Sequence, residues 1–427
     1  MGAGLPRVFC RNTPGGREIA RRFFMVCGKK RGGKAIGSLE KAVGLLRTRE
    51  EMNRLFVLLF AALALPVAGN EPPTITISKS EKLTLALTGL TGEAGKVLEN
   101  DLMMSGYFKL VPGGAAAYTL ATSGGGARLS GTVQDQAGKV VLNRTVDGTA
   151  RQQAHRLADE VVETLTGNPG IASSKIAFVA NRTGRKEIYL ADADGAGVVQ
   201  LTRDNNISVA PSLSPDRRSL LYTGYRSGYA DVYLVDLVSG SRRCIMKYPG
   251  TNSGATFSPD GSRIAVTLSK DGNPEIYVTS ASGDSPRRVT RTAGSESSPT
   301  WGPGGSELVF SSDDRGTPQL YRVSSDGGRG QLIPTGHGYN TEPHWSPDGR
   351  KIAFTVREGG SFSVAVLDLQ SGQSRVVAQG QDPVWGPDSR HLIFASGSSL
   401  IFLDAQSGQR TTLVSNLGSV SEPTWSR

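Results

Sequence analysis

From residue 171 to the C-terminus, apolar and polar positions alternate in short runs broken by turn residues, which is the period of strands rather than helices. The unit around Pro259 is complete. Thr256-Phe257 enters the turn Ser258-Pro259-Asp260-Gly261, where proline presets φ and glycine supplies the positive φ of a tight hairpin. Ile264-Ala265-Val266 leaves it, Lys270-Asp271-Gly272-Asn273 turns the chain again, and Glu275-Ile276-Tyr277-Val278 follows. Ser282-Gly283 then precedes a fourth run, Arg288-Val289-Thr290. The first turn recurs as Ser214-Pro215-Asp216-Arg217, Gly302-Pro303-Gly304-Gly305, Ser346-Pro347-Asp348-Gly349 and Gly386-Pro387-Asp388-Ser389, with prolines 44, 44, 44 and 40 residues apart. Such a period marks a repeat architecture, and four strands per period is one blade of a β-propeller. Second strands through Ile176, Leu220, Ile264, Leu308, Ile352 and Leu392 predict six blades. First strands lie at 211–213, 255–257, 299–301, 343–345 and 383–385, but none precedes Lys175, and the sixth copy, Pro423-Thr424-Trp425-Ser426, stands at the C-terminus. That last strand is therefore predicted to complete blade one, closing the ring and removing open sheet edges.

Residues 70–167 carry a mixed pattern. Thr74-Ile75-Thr76-Ile77 and Leu83-Thr84-Leu85-Ala86-Leu87 alternate as strands. Ala94, Val97, Leu98 and Leu102 fall at helical spacing over 93–107, where Ser105-Gly106 stops the helix. Residues 129–133 and 140–142 bracket Asp135-Gln136-Ala137-Gly138 as a hairpin. A second helix over 151–165 is apolar at Ala154, Leu157, Ala158, Val161, Val162 and Leu165, and Gly167-Asn168-Pro169-Gly170 ends it. The prediction is a small α+β domain over 70–167, followed by an all-β six-bladed propeller over 171–427.

Charge and composition change this picture at the N-terminus. The net charge is +10, but residues 1–51 hold twelve Lys/Arg against four Asp/Glu, so the rest is near neutral and no nucleic-acid partner is indicated. Residues 52–69 have a short basic start, an apolar run and small residues up to Gly69, the layout of a signal peptide. The run is shorter than the roughly 20 residues a membrane helix needs, so export without membrane insertion is expected. Translation is accordingly read as starting at Met52, with 1–51 an upstream over-extension of the gene model; the alternative is a basic cytoplasmic or nucleic-acid-binding arm. Cys10 and Cys27 fall in that segment. Cys244 is left without a disulfide partner and is read as a small buried hydrophobe in a strand.

Equivalent positions of a propeller ring the axis, and the residue ahead of each inner-strand Pro or Ala can be compared: Ala210, Gly254, Ser298, Glu342, Asp382 and Glu422. Three carboxylates on consecutive blades could hold a cation such as calcium, receive basic side chains of a partner, or be solvated turn residues. His155 is placed on the polar face of the second helix, and His344 at an inner-strand position filled elsewhere by Ser212, Thr256 and Thr300. With His337 and His391 they form no HExxH spacing, and no Gly-x-Ser-x-Gly elbow occurs, so neither a catalytic constellation nor a cofactor motif is read. Asp194-Gly195 and Asp326-Gly327 read as hairpin turns rather than calcium loops. Tyr225, Tyr229 and Tyr339 are loop aromatics that could anchor a partner.

The domain order, the six repeats with Glu-Pro-x-Trp-Ser at 342–346 and 422–426, the run Asp159-Glu160-Val161-Val162-Glu163-Thr164-Leu165-Thr166-Gly167, and Asp101-Leu102 with Ser105-Gly106-Tyr107-Phe108 resemble the TolB family, periplasmic propellers of the Tol-Pal envelope system. The resemblance covers 70–427. It implies a monomeric, non-catalytic adaptor without cofactor that joins the peptidoglycan-associated lipoprotein Pal to the inner-membrane protein TolA, supporting envelope integrity and constriction at division. It further implies that the lipoprotein docks at the channel mouth, on the loops leading into the inner strands: Thr251-Asn252-Ser253, Ser295-Glu296-Ser297 and Asn340-Thr341-Glu342. Asn70, Glu71, Thr74, Ile75, Thr76 and Ile77 match the family's TolA-pairing N-terminal segment in place and alternation, a pattern suited to β-strand addition. Gly113-Gly114-Ala115-Ala116-Ala117 and Ser123-Gly124-Gly125-Gly126 stand where the family has longer loops, and the turn Gly302-Pro303-Gly304-Gly305 is degenerate. A secreted lyase-like propeller enzyme using mouth carboxylates or histidines, or a glycan- or peptide-binding propeller, are the other classes open at this point.

Overall fold

The computed structural model describes residues 81–89 and 91–426. The expected over-extension at 1–51, the signal peptide at 52–69, the strand at 74–77 and the TolA-pairing segment lie outside those residues.

The first part consists of β1 (Leu83–Thr88), α1 (Gly92–Met104), β2 (Phe108–Leu110), β3 (Tyr118–Gly125), β4 (Arg128–Asp135), β5 (Val140–Asp147) and α2 (Ala150–Thr166). The sheet order is β2-β1-β3-β4-β5, with β1 parallel to both neighbours and the β3–β4–β5 meander antiparallel. The apolar stripes read from the sequence meet in one core of Leu85, Leu98, Leu102, Leu120, Val133, Leu157 and Val161. Burying each such side chain stabilises the fold by roughly 1.5–3 kcal/mol. Local chemistry sets the limits of α2. Thr149 and Gln152 form a reciprocal capping box at its start, and Gly167 takes a left-handed φ of 70° at its end.

Six four-stranded antiparallel sheets follow, as the repeat predicts. Blade one is completed by Val420–Trp425, which pairs antiparallel with Lys175–Ala180 and sets Trp425 opposite Ile176. The seam is fixed from both sides: Lys175 N donates to Ser426 Oγ at 2.8 Å, Ser426 N to the Lys175 carbonyl at 2.9 Å, and Trp425 Nε1 to Ser174 Oγ at 2.7 Å. Around it Phe178, Val384, Ile393, Phe402 and Trp425 form one core spanning blades six and one.

The recurring turn has a mechanical reason. Ser258 Oγ donates to Asp260 Oδ1 and accepts from Arg263 N at 2.9 Å, while Gly261 turns at φ 73°. Glycine stands in place of that serine at 302 and 386, where an added Cβ would lie 3.0 Å from the Trp345 ring and 2.8 Å from the Trp425 ring. Two expectations need correction. The fourth strand predicted over 288–290 is only Arg287–Arg288; Thr290 has left the sheet so that its hydroxyl can accept from Ile276 N at 2.9 Å. Cys244 is exposed, since it lies on the outer strand Arg242–Met246 where no further blade covers it.

Turns between first and second strands, and between third and fourth, lie at one end of the propeller, and the α+β part is fastened there. Arg390, in the first turn of blade six, donates to the Gly106 carbonyl at 3.1 Å, pairs with Asp404 at 2.6 Å and lies 4.3 Å over the Tyr107 ring. Arg151 of α2 reaches Asp194 at 2.6 Å and Asp192 at 3.2 Å, at the third turn of blade one. The opposite end, where the chain enters each inner strand, is the channel mouth.

Candidate partner-binding site

Each inner strand begins at the mouth and is interrupted by a bulge: its register shifts within residues 209–212, 253–256, 297–300, 341–344, 381–384 and 421–424. At all six bulges one residue adopts positive φ, namely Ala210, Gly254, Ser298, Glu342, Asp382 and Glu422, between 50° and 61°. These are the six ring positions read from the sequence. Five are not glycine, and a left-handed residue with a Cβ costs roughly 1–2 kcal/mol, so an offsetting interaction is required.

At Asp382, Glu422 and Ala210, hydrogen bonds handed from blade to blade supply it. Glu342 Oε2 accepts from Asp382 N at 3.2 Å, Asp382 Oδ2 from Glu422 N at 2.8 Å, and Glu422 Oε2 from Ala210 N at 2.6 Å. Where no carboxylate precedes Gly254, the Thr223 hydroxyl accepts from Gly254 N at 3.2 Å. Deeper in the channel the pattern repeats, with Ser212 Oγ accepting from Phe257 N, Thr300 Oγ1 from Trp345 N, and His344 Nδ1 from Trp385 N at 3.2 Å. His344 thus does the work of its serine and threonine equivalents. The three carboxylates are inter-blade staples, which corrects the reading as solvated turn residues. Burial first, then the Asp382 charge, raises Glu342 to about 8 and displaces Glu422 upward as well. Among the described residues, the cluster whose potential metal-ligating atoms all lie within 4.8 Å of one another is His155, Asp192 and Asp194; the mouth carboxylates do not converge that closely.

The residues expected to face the lipoprotein divide sharply. Asn252, Glu296 and Asn340 are strand residues, not loop residues, and are 0% exposed. Asn252 Nδ2 donates to the Ala230 and Tyr248 carbonyls, and Asn340 Nδ2 to Gln319 Oε1 and the His337 carbonyl. Glu296 accepts from Thr292 and Ser312 hydroxyls, and burial raises it to about 7 beside Glu275. These three hold the entering loops in place. Thr251 and Ser295, just ahead of their strands, and Ser297 are exposed, and Ser253, Thr341 and Glu342 are half-buried.

The other histidines have structural surroundings. His155 is buried, not on a polar face: it lies 2.7 Å from Asp101 and 3.7 Å from Asp192. Burial works against its charge, but the hydrogen bonds to Asp101 and Asp192 win and raise it to about 9. A protonated imidazole has no lone pair for a metal, and Arg151 and Lys175 already face Asp192. His337 contacts Glu358 at 2.7 Å, and His391 contacts Asp388 and stacks on Phe402 at 4.7 Å. Tyr229 stands 72% exposed, Tyr225 is half-buried, and Tyr339 leans on Phe362. Sequence reading missed the blade-five hairpin, whose strands Lys351–Glu358 and Ser361–Asp368 run two residues longer than their equivalents and project Phe362 at the mouth. The two glycines at 359–360 were the available signal.

Residues 162–427 match the TolB beta propeller domain family. The TolB homolog of Chlorobaculum tepidum is 31% identical over 42% of this chain and 50% of its own length, so the chain spans about half of that relative. A Tol-Pal system protein TolB of Syntrophotalea carbinolica is 45% identical over 17% of this chain and 16% of its length. The crystal structure of TolB from Acinetobacter baumannii superimposes with a TM-score of 0.73 at 25% identity, covering 81% of this chain and 97% of that one.

Proposed function

The chain belongs to the TolB beta propeller family, and from that premise we propose that it serves in the Tol-Pal system as a periplasmic, non-catalytic adaptor. It links a Pal-type peptidoglycan-associated lipoprotein, docked at the channel mouth, to TolA, which pairs with residues 70–77, and so supports outer-membrane integrity and constriction at division. One observation carries this reading: the α+β part is fastened at the opposite end of the propeller by the Arg151 and Arg390 contacts, which leaves the mouth to a partner. Two things argue against chemistry at the mouth. Its carboxylates are occupied by the backbone of the next blade, and the histidines sit in separate structural settings. No helix among the described residues is long and apolar enough to cross a membrane.

Binding measurements with the periplasmic domain of the lipoprotein and with TolA test the proposal. Ser297→Trp, which places a large ring on the exposed side of a mouth strand, should weaken lipoprotein binding and leave TolA binding intact. Deletion of residues 70–77 should do the reverse. Lipoprotein binding unaffected by Ser297→Trp would remove the mouth as its docking site.

A further inference from the structure

The mouth is not uniform in charge. Arg182, Arg185 and Lys186 lie on the loop between the second and third strands of blade one, Arg203 on the loop leading into blade two, and Arg226 on the corresponding hairpin of blade two; all five are exposed. These three loops form one platform, because Ser208 N donates to the Lys186 carbonyl at 2.9 Å, Tyr225 N to the Ile207 carbonyl at 3.0 Å, and Asn206 Nδ2 to the Tyr225 carbonyl at 2.8 Å. The acidic side chains beside them are buried and occupied: Asp204 is held by Arg242 at 2.7 Å and by the Tyr222 hydroxyl at 3.0 Å, with Arg226 at 3.7 Å, Glu187 accepts from the Thr202 hydroxyl and from Asn205 N at 3.0 Å, and Asp231 accepts from the Ser227 hydroxyl at 2.6 Å. Arg182, Arg185, Lys186 and Arg203 have no ion-pair partner among the described residues. Elsewhere on the mouth charges nearly balance: Lys270 pairs with Asp271, Arg291 and Arg315 are matched in number by Asp313 and Asp314, and Arg357 precedes Glu358, which leaves one exposed lysine, Lys247, on the loop leading into blade three. The excess is therefore concentrated on two blades rather than spread around the ring.

We infer that this platform over blades one and two is the footprint of an acidic protein segment, so that the partner docks on the mouth in one rotational setting. The inference rests on the proposal that a protein partner docks at the mouth, and adds which side of the mouth it uses and by what chemistry. A six-fold ring has no intrinsic mark for orientation. An uncompensated cationic sector supplies one, since opposite charges steer encounter and like charges exclude wrong settings. The exposed Tyr229 on the same platform favours a protein over a lipid surface, because Tyr beside Arg is the composition of protein interfaces.

The test uses the purified protein and the lipoprotein's periplasmic domain over a salt series. The triple reversal Arg182→Glu, Arg185→Glu, Lys186→Glu should weaken binding at least about thirtyfold at low salt. The gap should close to within about threefold near 0.5 M, where screening is nearly complete. The triple alanine variant should fall between, and Arg315→Glu, on the hairpin between the second and third strands of blade four and so farther from the axis than Ser297 on its inner strand, should change affinity by less than about twofold. These are exposed loop residues, so unchanged melting temperatures are expected and would separate lost docking from lost folding. If the triple reversal binds like the wild type while Ser297→Trp does not bind, the cationic footprint is wrong and docking at the mouth stands. If neither variant alters binding, docking at the mouth is itself wrong. Loss of sedimentation with phosphatidylglycerol vesicles in the triple variant, with lipoprotein affinity unchanged, would reassign the platform to anionic lipid and overturn the inference.

Discussion

Replacing Glu342 by glutamine separates the shape of this carboxyl from its charge. The amide oxygen of Glu342→Gln can still accept from the Asp382 N–H and the Thr355 hydroxyl, so both contacts survive. What disappears is a proton that the wild type must give up as pH rises. Burial, and after it the Asp382 charge, displace the group from 4.5 to about 8. At about 1.4 kcal/mol per pH unit this amounts to roughly 3–5 kcal/mol once residual solvent contact is allowed for. The sign follows from linkage. A carboxyl whose folded pKa exceeds its unfolded one contributes stability that is complete below about pH 4.5 and is lost as pH climbs through about 8.

Urea unfolding of both proteins from pH 5 to pH 9 measures this. At pH 5 the variant should match the wild type within about 1 kcal/mol, and by pH 9 it should be the more stable by roughly 3–5 kcal/mol. Glu296, Glu422 and His155 titrate in both proteins, so the difference between the two curves isolates Glu342. Parallel curves, or a variant that loses ground as pH rises, would refute the assignment of a neutral, stapling carboxyl.

Three further outcomes follow from the same contacts. Trp425→Ala removes the buried ring at the seam and its bond to Ser174, and should cost about 3–5 kcal/mol, read as a lower thermal midpoint. Gly386→Ala pushes a Cβ to 2.8 Å from the Trp425 ring and should both destabilise by about 1–3 kcal/mol and alter tryptophan fluorescence; Gly254→Ala meets open space and should cost only about 1 kcal/mol, with fluorescence unchanged. Arg151→Ala leaves Asp192 and Asp194 short of a counter-charge, and should speed proteolysis within residues 167–174 while costing about 2–4 kcal/mol.

The propeller was legible because its signals are local and repeated: a turn whose serine, aspartate and glycine each make a bond of their own, and strands with a period of two. Ring closure was legible for a related reason, since Trp425 is a repeat residue without a repeat. The ring positions were also found, but their chemistry was not. Whether Glu342 is solvated depends on a bulge that turns it toward the next blade, and a bulge leaves no composition signal when glycine is absent. Asn252, Glu296 and Asn340 were misjudged because polar residues between turn residues look like loop, whereas here each is buried to hold the loop it resembles. His155 was misplaced because its partners are 54 and 37 residues away in the chain: Asp101 meets it when α1 packs against α2, and Asp192 only when the two parts pack.

The ring also explains why specificity should lie outside it. A bulge withdraws a backbone N–H from the strand ladder, and a buried orphan donor costs about 1–3 kcal/mol. At blades one, two, three and six the acceptor comes from the preceding blade, so satisfying the donor and spacing the blades are the same act. A side chain in that role cannot also turn to meet a partner without undoing the seam it holds. Recognition is then left to residues that no neighbouring blade requires, the loops around the mouth. There a change of charge costs the fold little, and there the cationic excess of blades one and two is found.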